Sequence, residues 1–222
     1  MRPWILAATL AVALAAPALA AKPISPALQA QLDQAVLDHE SGRIEAARQA
    51  FTSLAARGVP AAQYNLGVMH IRREFAAADP GEALRLLTRS AQGGFVTAQF
   101  MLGHVFESGE LGPRDLVIAQ RWYTLAAAGG SVDAKVAVAT AFYLGRGARQ
   151  SMADAAHWYR EAAKGGDVGA QYLLASMYEA GIGVERDLRL ARYWYDIAAK
   201  NGDEAAPGKV KELDAKLASA PS

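Results

Sequence analysis

The chain has no cysteine, which excludes disulfides, thiolate metal sites and a lipid-anchored cysteine; it neither establishes nor excludes an oxidising compartment. Nor does one sign of charge dominate, since 23 Lys and Arg stand against 22 Asp and Glu. Near-neutrality argues against nucleic acid, which demands a basic face, and offers no general attraction to anionic membranes. Signatures of catalysis are missing too: the sequence holds no GxSxG, no HExxH and no P-loop. Its four histidines, His39, His70, His104 and His157, show no metal-ligand spacing. A non-catalytic chain without metal or cofactor is the expectation.

What is present is a period. Gly58, Gly94, Gly130, Gly166 and Gly202 stand 36 residues apart, as do Ala62, Ala98, Ala134, Ala170 and Ala206. Leu66, Leu102, Val138 and Leu174 keep the same step, and so do Leu86, Trp122, Trp158 and Trp194. An interval of this length marks an array of helical repeats. In the last unit Ala170, Leu174, Met177 and Tyr178 share one helical face, and Gly181 and Gly183 end that helix. Asp187 then caps a second helix, in which Ala191, Trp194, Tyr195 and Ala198 form the apolar stripe. Asp79, Asp115 and Ser151 hold the capping slot in the earlier units. Gly67, Gly103, Ala139 and Ala175 keep one inter-helix position small. A mid-helix glycine costs ~1 kcal/mol relative to alanine, so close packing against a large ring of the second helix is expected. The Trp-Tyr pairs are expected in the core, because large rings bury ~150–250 Å² each.

The runs AQYNLGVM at Ala62–Met69, GIGV at Gly181–Val184 and WYREAAKGG at Trp158–Gly166 are similar to Sel1-like repeats. That family is related to the tetratricopeptide repeats, and the resemblance implies an all-α, right-handed α-solenoid of antiparallel helix pairs. Units are expected at 59–94, 95–130, 131–166 and 167–202, with a divergent N-terminal pair (21–58) and a capping helix with its tail (203–222). The first unit departs from the pattern with IRREFAAAD at Ile71–Asp79 and Leu86-Leu87, and the third with GRGARQS at Gly145–Ser151. In the last helix Val210, Leu213 and Leu217 form the inner stripe, and Lys209, Lys211, Glu212, Asp214 and Lys216 should face out.

Residues 1–20 read as a secretory signal, with one arginine, an apolar run too short for a span of ~20 residues, and Ala18-Leu19-Ala20 as the cleavage site. The expected location is the bacterial periplasm, with secretion as a further outcome and no stable membrane insertion after cleavage.

His70 shares a slot with Phe106, Phe142 and Tyr178 and is expected to pack; His157 should sit on a wet edge, and His39 in a loose surface cluster with Asp38 and Glu40. In the related solenoids the inner curve is lined by first-helix residues. Carried across by register, that face holds Tyr64, Arg72, Phe100, His104, Glu107, Thr140, Tyr143, Tyr172, Ser176 and Glu179, with Val68, Ile71 and Val136 between them. The aromatic slot (Tyr64, Phe100, Tyr172) is equally open to packing between units. Arg72, His104, Glu107 and Glu179 have no such packing reason and are the stronger contact candidates. The leading expectation is a protein-interaction scaffold that holds a peptide or protein partner in its concave groove, in envelope signalling or assembly. Two alternatives are an envelope-associated cell-wall or β-lactam hydrolase or binding protein, suggested by cysteine-rich relatives, and a structural spacer in a polysaccharide or secretion complex.

Overall fold

The computed structural model describes residues 23–219; the expected signal at 1–20 and the last residues of the tail lie outside them. Among the described residues are eleven helices and no strand. They are α1 (Pro26–Glu40), α2 (Ile44–Ala56), α3 (Pro60–Ile71), α4 (Pro80–Gln92), α5 (Val96–Ser108), α6 (Leu116–Ala128), α7 (Val132–Leu144), α8 (Met152–Lys164), α9 (Val168–Ala180), α10 (Leu188–Lys200) and α11 (Ala206–Ala218). Each packs chiefly on the helix before it and the helix after it. The result is an all-α solenoid in which α3–α4, α5–α6, α7–α8 and α9–α10 are units 1 to 4.

Local chemistry sets the element ends. Asp79, Asp115, Ser151 and Asp187 each accept a hydrogen bond from the first turn of the second helix in their unit. Gly109, Gly145 and Gly181 close the first helices in the left-handed region, at φ of 77°, 67° and 73°. In unit 1 the equivalent residue is Arg73, which takes the same region at φ 53° without being glycine.

Each apolar cluster is shared between neighbours. Ala119, Tyr123 and Ala126 of unit 2 bury themselves with Ala134 and Val138 of unit 3. Tyr159 and Ala162 of unit 3 do so with Leu174 and Met177 of unit 4. A single hairpin could not close such a core, which is why the units stack. The expected close approach at the small-residue slot is present: a Cβ on Gly103 would overlap the Tyr123 ring, and one on Gly67 would lie 3.2 Å from Leu87 Cγ. Tyr123, Tyr159 and Tyr195 are buried with Trp122, whereas Trp158 and Trp194 are half-buried at the junctions between units.

A polar tie that the periodicity did not bring to notice joins successive units. Gln63 Nε2 donates to the Ala55 carbonyl (3.2 Å), Gln99 to Ala91 (3.1 Å) and Gln171 to Ala163 (3.2 Å). Each side chain satisfies a carbonyl near the end of the preceding helix. The recurring Ala-Gln pair was its signal, broken only by Lys135 in unit 3.

One expectation needs correction. His39 is no loose surface residue, for its Nε2 lies 2.6 Å from Glu74 Oε2 in the unusual turn of unit 1. The charged side of α11 faces out at Lys211, Glu212, Asp214 and Lys216, with Lys209 half-buried, and it also reaches across unit 4: Lys209 and Lys216 turn to Glu179 at 3.2 and 3.5 Å, and Asp214 pairs with Arg192. These charges fasten α11 across unit 4, where Leu213 fills the gap beneath.

Candidate functional site

The first-helix face carries the candidate surface. Tyr64, Val68, Ile71 and Arg72 of unit 1 converge with Phe100 and His104 of α5 around a depression of about 420 Å³. A second depression, about 230 Å³, uses Tyr64, Val68 and Arg72 again and is walled by Val36, His39 and Glu40 of α1. The two therefore adjoin along α3. Their floor is apolar and aromatic, and the rim carries Arg72, whose side chain is 65% exposed and only distantly paired with Glu74 at 3.8 Å. His104 is exposed on the other side. Burial pushes the Tyr64 hydroxyl pKa up, so it stays a neutral hydrogen-bonding group at the floor, though Arg72 opposes the shift.

Of the ten residues expected on this face, four thus meet in one place. Glu107 and Thr140 line a separate cavity of about 150 Å³ between units 2 and 3. Tyr143 is exposed near the end of α7, its carbonyl accepting from Gln150 Nε2 at 2.9 Å. Tyr172, Ser176 and Glu179 lie along α9, away from the trough. The aromatic slot turns out to pack mostly within its own unit: Phe100 lies 5.4 Å from the Tyr123 ring and Tyr172 5.0 Å from Tyr195. Tyr64, whose unit has Leu87 in place of that tyrosine, meets Phe95 of the next unit at 5.4 Å.

The premise that the charged candidates lack internal partners fails for two of them. Glu107 accepts the Tyr123 hydroxyl at 2.7 Å, and Glu179 accepts that of Tyr195 at 3.0 Å. Burial, reinforced by these carboxylates, raises both tyrosine pKa values far above the ordinary range, so the hydroxyls remain donors. Glu179 is only 18% exposed and bound to two lysines, which leaves exposed His104 and Arg72, held only by its 3.8 Å pair with Glu74, as the polar candidates most open to a partner.

The remaining histidines divide. His157 is exposed with its ring edge on Trp158. His70 is buried, edge-on to Phe75 at 4.8 Å, and its Nδ1 accepts the Asp79 N–H at 2.9 Å. Burial lowers its pKa below the usual 6.5. Among the described residues no three His, Asp or Glu side chains gather as a metal-ligand set, and no helix is long and apolar enough to cross a membrane. A floor of rings with a polar rim is suited to holding a peptide segment.

The Sel1 repeat family model matches four consecutive stretches, 60–95, 96–131, 132–167 and 168–203. The chain belongs to the Sel1 repeat family. Sel1 repeats are in general protein-interaction scaffolds without catalytic activity. Among solved structures, one similar protein is a protective antigen of uropathogenic Escherichia coli with an SLR fold: 29% identity, TM-score 0.79, covering 88% of this chain and 43% of that one. Another is a Sel1 repeat protein from Oxalobacter formigenes: 30% identity, TM-score 0.69, covering 76% of this chain and 49% of that one. This Sel1 chain therefore spans less than half the length of either. A Sel1 repeat protein from Klebsiella pneumoniae shares the fold at 21% identity and TM-score 0.50, covering 84% of this chain and 93% of that one. No curated protein matches the chain.

The buried polar residues were what sequence reasoning passed over. Gln120 is the foremost, in a slot held elsewhere by Leu84, Ala156 and Arg192.

Proposed function

We propose that this Sel1 protein is an exported, periplasmic scaffold that holds a peptide or protein segment in the concave trough along α3 and α5. The observation that carries the reading is the convergence of Tyr64, Arg72, Phe100 and His104 on one depression of about 420 Å³, extended by a second against α1. Aromatic floors and arginine rims are the composition of protein-recognition surfaces. Export rests on the sequence of residues 1–20, with its short apolar run and small-residue cleavage site.

The test is crosslinking in living cells from a photoreactive residue at position 104, with a control at exposed Tyr193 on α10. A discrete product from position 104, absent from position 193 and lost with Arg72→Glu, supports the trough. Equal products from both positions, or none from 104, would reject it. Fractionation with and without residues 1–20 tests export separately: the full chain should be released with the periplasm, and the shortened one should not.

A further inference from the structure

The depressions on the first-helix face recur with the period of the chain. Ile71, Met101, His104 and Glu110 line the trough between units 1 and 2. The residues 36 further on, Glu107, Ala137, Thr140 and Arg146, line the smaller cavity between units 2 and 3. One more step gives Tyr143, Leu173, Ser176 and Ile182 at the junction of units 3 and 4. Three of these are large and apolar, and at 37%, 43% and 37% exposure Tyr143, Leu173 and Ile182 are left uncovered. Leu144, 49% exposed, carries the same surface on to the cavity that Arg146 lines. These are four of the eight large apolar side chains exposed among the described residues, so the exposure is concentrated at one junction.

Local chemistry leaves this junction short of internal partners. In units 2 and 4 the slot of Tyr143 holds Glu107 and Glu179, each accepting a buried tyrosine hydroxyl. In unit 3 that tyrosine, Tyr159, shares its hydrogen bond with Thr140 at 3.1 Å instead. The turns differ as well. Arg114 and Arg186 are used within units 2 and 4, donating to the carbonyls of Glu107 and Glu179 at 2.7 and 3.1 Å. In unit 3 Gln150 does this for the Tyr143 carbonyl at 2.9 Å. Arg146 and Arg149 of the same turn are exposed, and among the described residues neither has an ion-pair partner. Counting Glu107, Glu185 and Arg186 with them still leaves the balance positive, and Glu179 is outweighed by Lys209 and Lys216.

We propose that the junction of units 3 and 4 is a second docking surface, for an acidic peptide segment that carries a large aliphatic side chain between carboxylates. It lies beyond the trough along α3 and α5 and stands or falls without it. Leu173, Ile182 and the ring of Tyr143 cover the aliphatic side chain, which removes apolar surface from water on both partners. Arg146 and Arg149 receive the carboxylates, whose two oxygens a guanidinium matches with paired N–H donors. A basic segment would meet two like charges, and a purely polar one would leave the patch uncovered. A crevice between two helices also admits a single chain, whereas a bilayer calls for a broad amphipathic face lying flat on it.

Proton–nitrogen NMR of the full mature chain, following the backbone amides of Tyr143, Leu173 and Ile182, tests this with three acetylated peptide amides: Glu-Leu-Glu, Lys-Leu-Lys and Glu-Gly-Glu. The expected result is a saturable shift with Glu-Leu-Glu and roughly tenfold weaker binding of the other two. Arg146→Glu combined with Arg149→Glu should reverse the order of Glu-Leu-Glu and Lys-Leu-Lys. Leu173→Ala should weaken Glu-Leu-Glu about tenfold without lowering the melting temperature, since Ala137 fills that slot in unit 3. Equal binding of the three peptides, an order that survives the double substitution, or shifts confined to Tyr64 and Phe100 would overturn the proposal. So would larger shifts of the same amides with phosphatidylglycerol vesicles, which assign the patch to a membrane, or a dimer in sedimentation that Leu173→Ala disperses, which assigns it to a second copy. Arg72→Glu should leave this titration unchanged whether or not the crosslink from position 104 survives, so failure here and failure of the trough are read separately.

Discussion

In unit 4 the N–H of Asp187 donates to the backbone carbonyl of Tyr178 at 3.0 Å, closing the turn between the two helices. Units 2 and 3 do the same with Phe106 and Phe142. In unit 1 the N–H of Asp79 donates instead to a side chain, His70 Nδ1, at 2.9 Å. The rest of the turn has changed along with it. Gly181 is replaced by Arg73, still left-handed, and Gly183 by Phe75, whose ring lies under the Arg48 guanidinium of α2 at 5.4 Å. Glu179 and Tyr195, hydrogen-bonded in unit 4, become Ile71 and Leu87, which pack in one apolar cluster. The two units thus reach the same geometry by different means. At this turn unit 4 meets its neighbour through bare backbone at Gly183, while unit 1 meets the N-terminal pair through the side chains of Phe75 and Glu74.

The largest effect should come from breaking the backbone contact. Gly183 has φ 70°, and a Cβ there would overlap the carbonyl of Met152 at the start of α8. Gly183→Ala therefore combines left-handed strain with a clash against rigid helix, and should cost about 3 kcal/mol or more. Gly58 also has positive φ, at 79°, but has open space around it, so Gly58→Ala should cost only about 1 kcal/mol. Urea denaturation of both variants checks the difference. Equal losses would mean that the unit-to-unit contact at Gly183 contributes nothing.

Next in size is the polar tie at the other end of unit 4. Glu179→Ala removes the acceptor of the buried Tyr195 hydroxyl and the anchor of Lys209 and Lys216. The expected loss is about 2 kcal/mol, mostly from the stranded hydroxyl, since partly exposed lysine pairs contribute little. Hydrogen exchange should show α11 losing protection before α10. In unit 1 the counterpart Ile71→Ala should loosen the packing on Leu87 without exposing any single helix selectively.

These contrasts also show what the residues disclosed in advance. The period, the capping slots and the glycine turns were legible because each depends on one residue type doing one local job at a fixed interval. The close approach at Gly103 was legible for the same reason, since a mid-helix glycine asks for an explanation. Long-range polar partners were not. Nothing near His39 in sequence points to Glu74, which reaches it only because the altered turn of unit 1 folds back on α1. Likewise Glu107 and Glu179 looked free because their tyrosine partners sit on the next helix, in a slot read as apolar core. Of the trough, the first-helix register was enough to bring four residues together, yet it could not show that α1 supplies a wall.

A smaller effect, of opposite sign, is expected where unit 1 departs from its neighbours. Arg73 occupies the left-handed region at φ 53°, a conformation that costs a side-chain-bearing residue about 1–2 kcal/mol. Arg73→Gly restores the residue of the other units and should stabilise the chain by about 1 kcal/mol, less whatever backbone freedom glycine adds to the unfolded state. A fall in stability would show that the Arg73 side chain holds the turn.

The most conditional difference is the response to pH. The carbonyl of Tyr178 accepts at any pH, whereas His70 Nδ1 accepts only while the ring is unprotonated there. Burial holds the His70 pKa below 6.5, outweighing the opposing pull of Glu82 and Asp79. The neutral ring is thus the form that folding favours. Its contribution is complete above pH 6.5, the unfolded value, and is lost as pH falls from there through the depressed folded value. His70→Asn keeps an acceptor near the position of Nδ1 and has no proton to gain. Melting temperatures followed from pH 8 downward (roughly the range in which a histidine titrates) should fall more steeply for the wild type than for this variant. The two proteins differ at no other residue, so the difference between the two curves isolates His70. Superimposable curves would mean that the Asp79 N–H finds another acceptor in acid, and that unit 1 closes its turn as securely as unit 4.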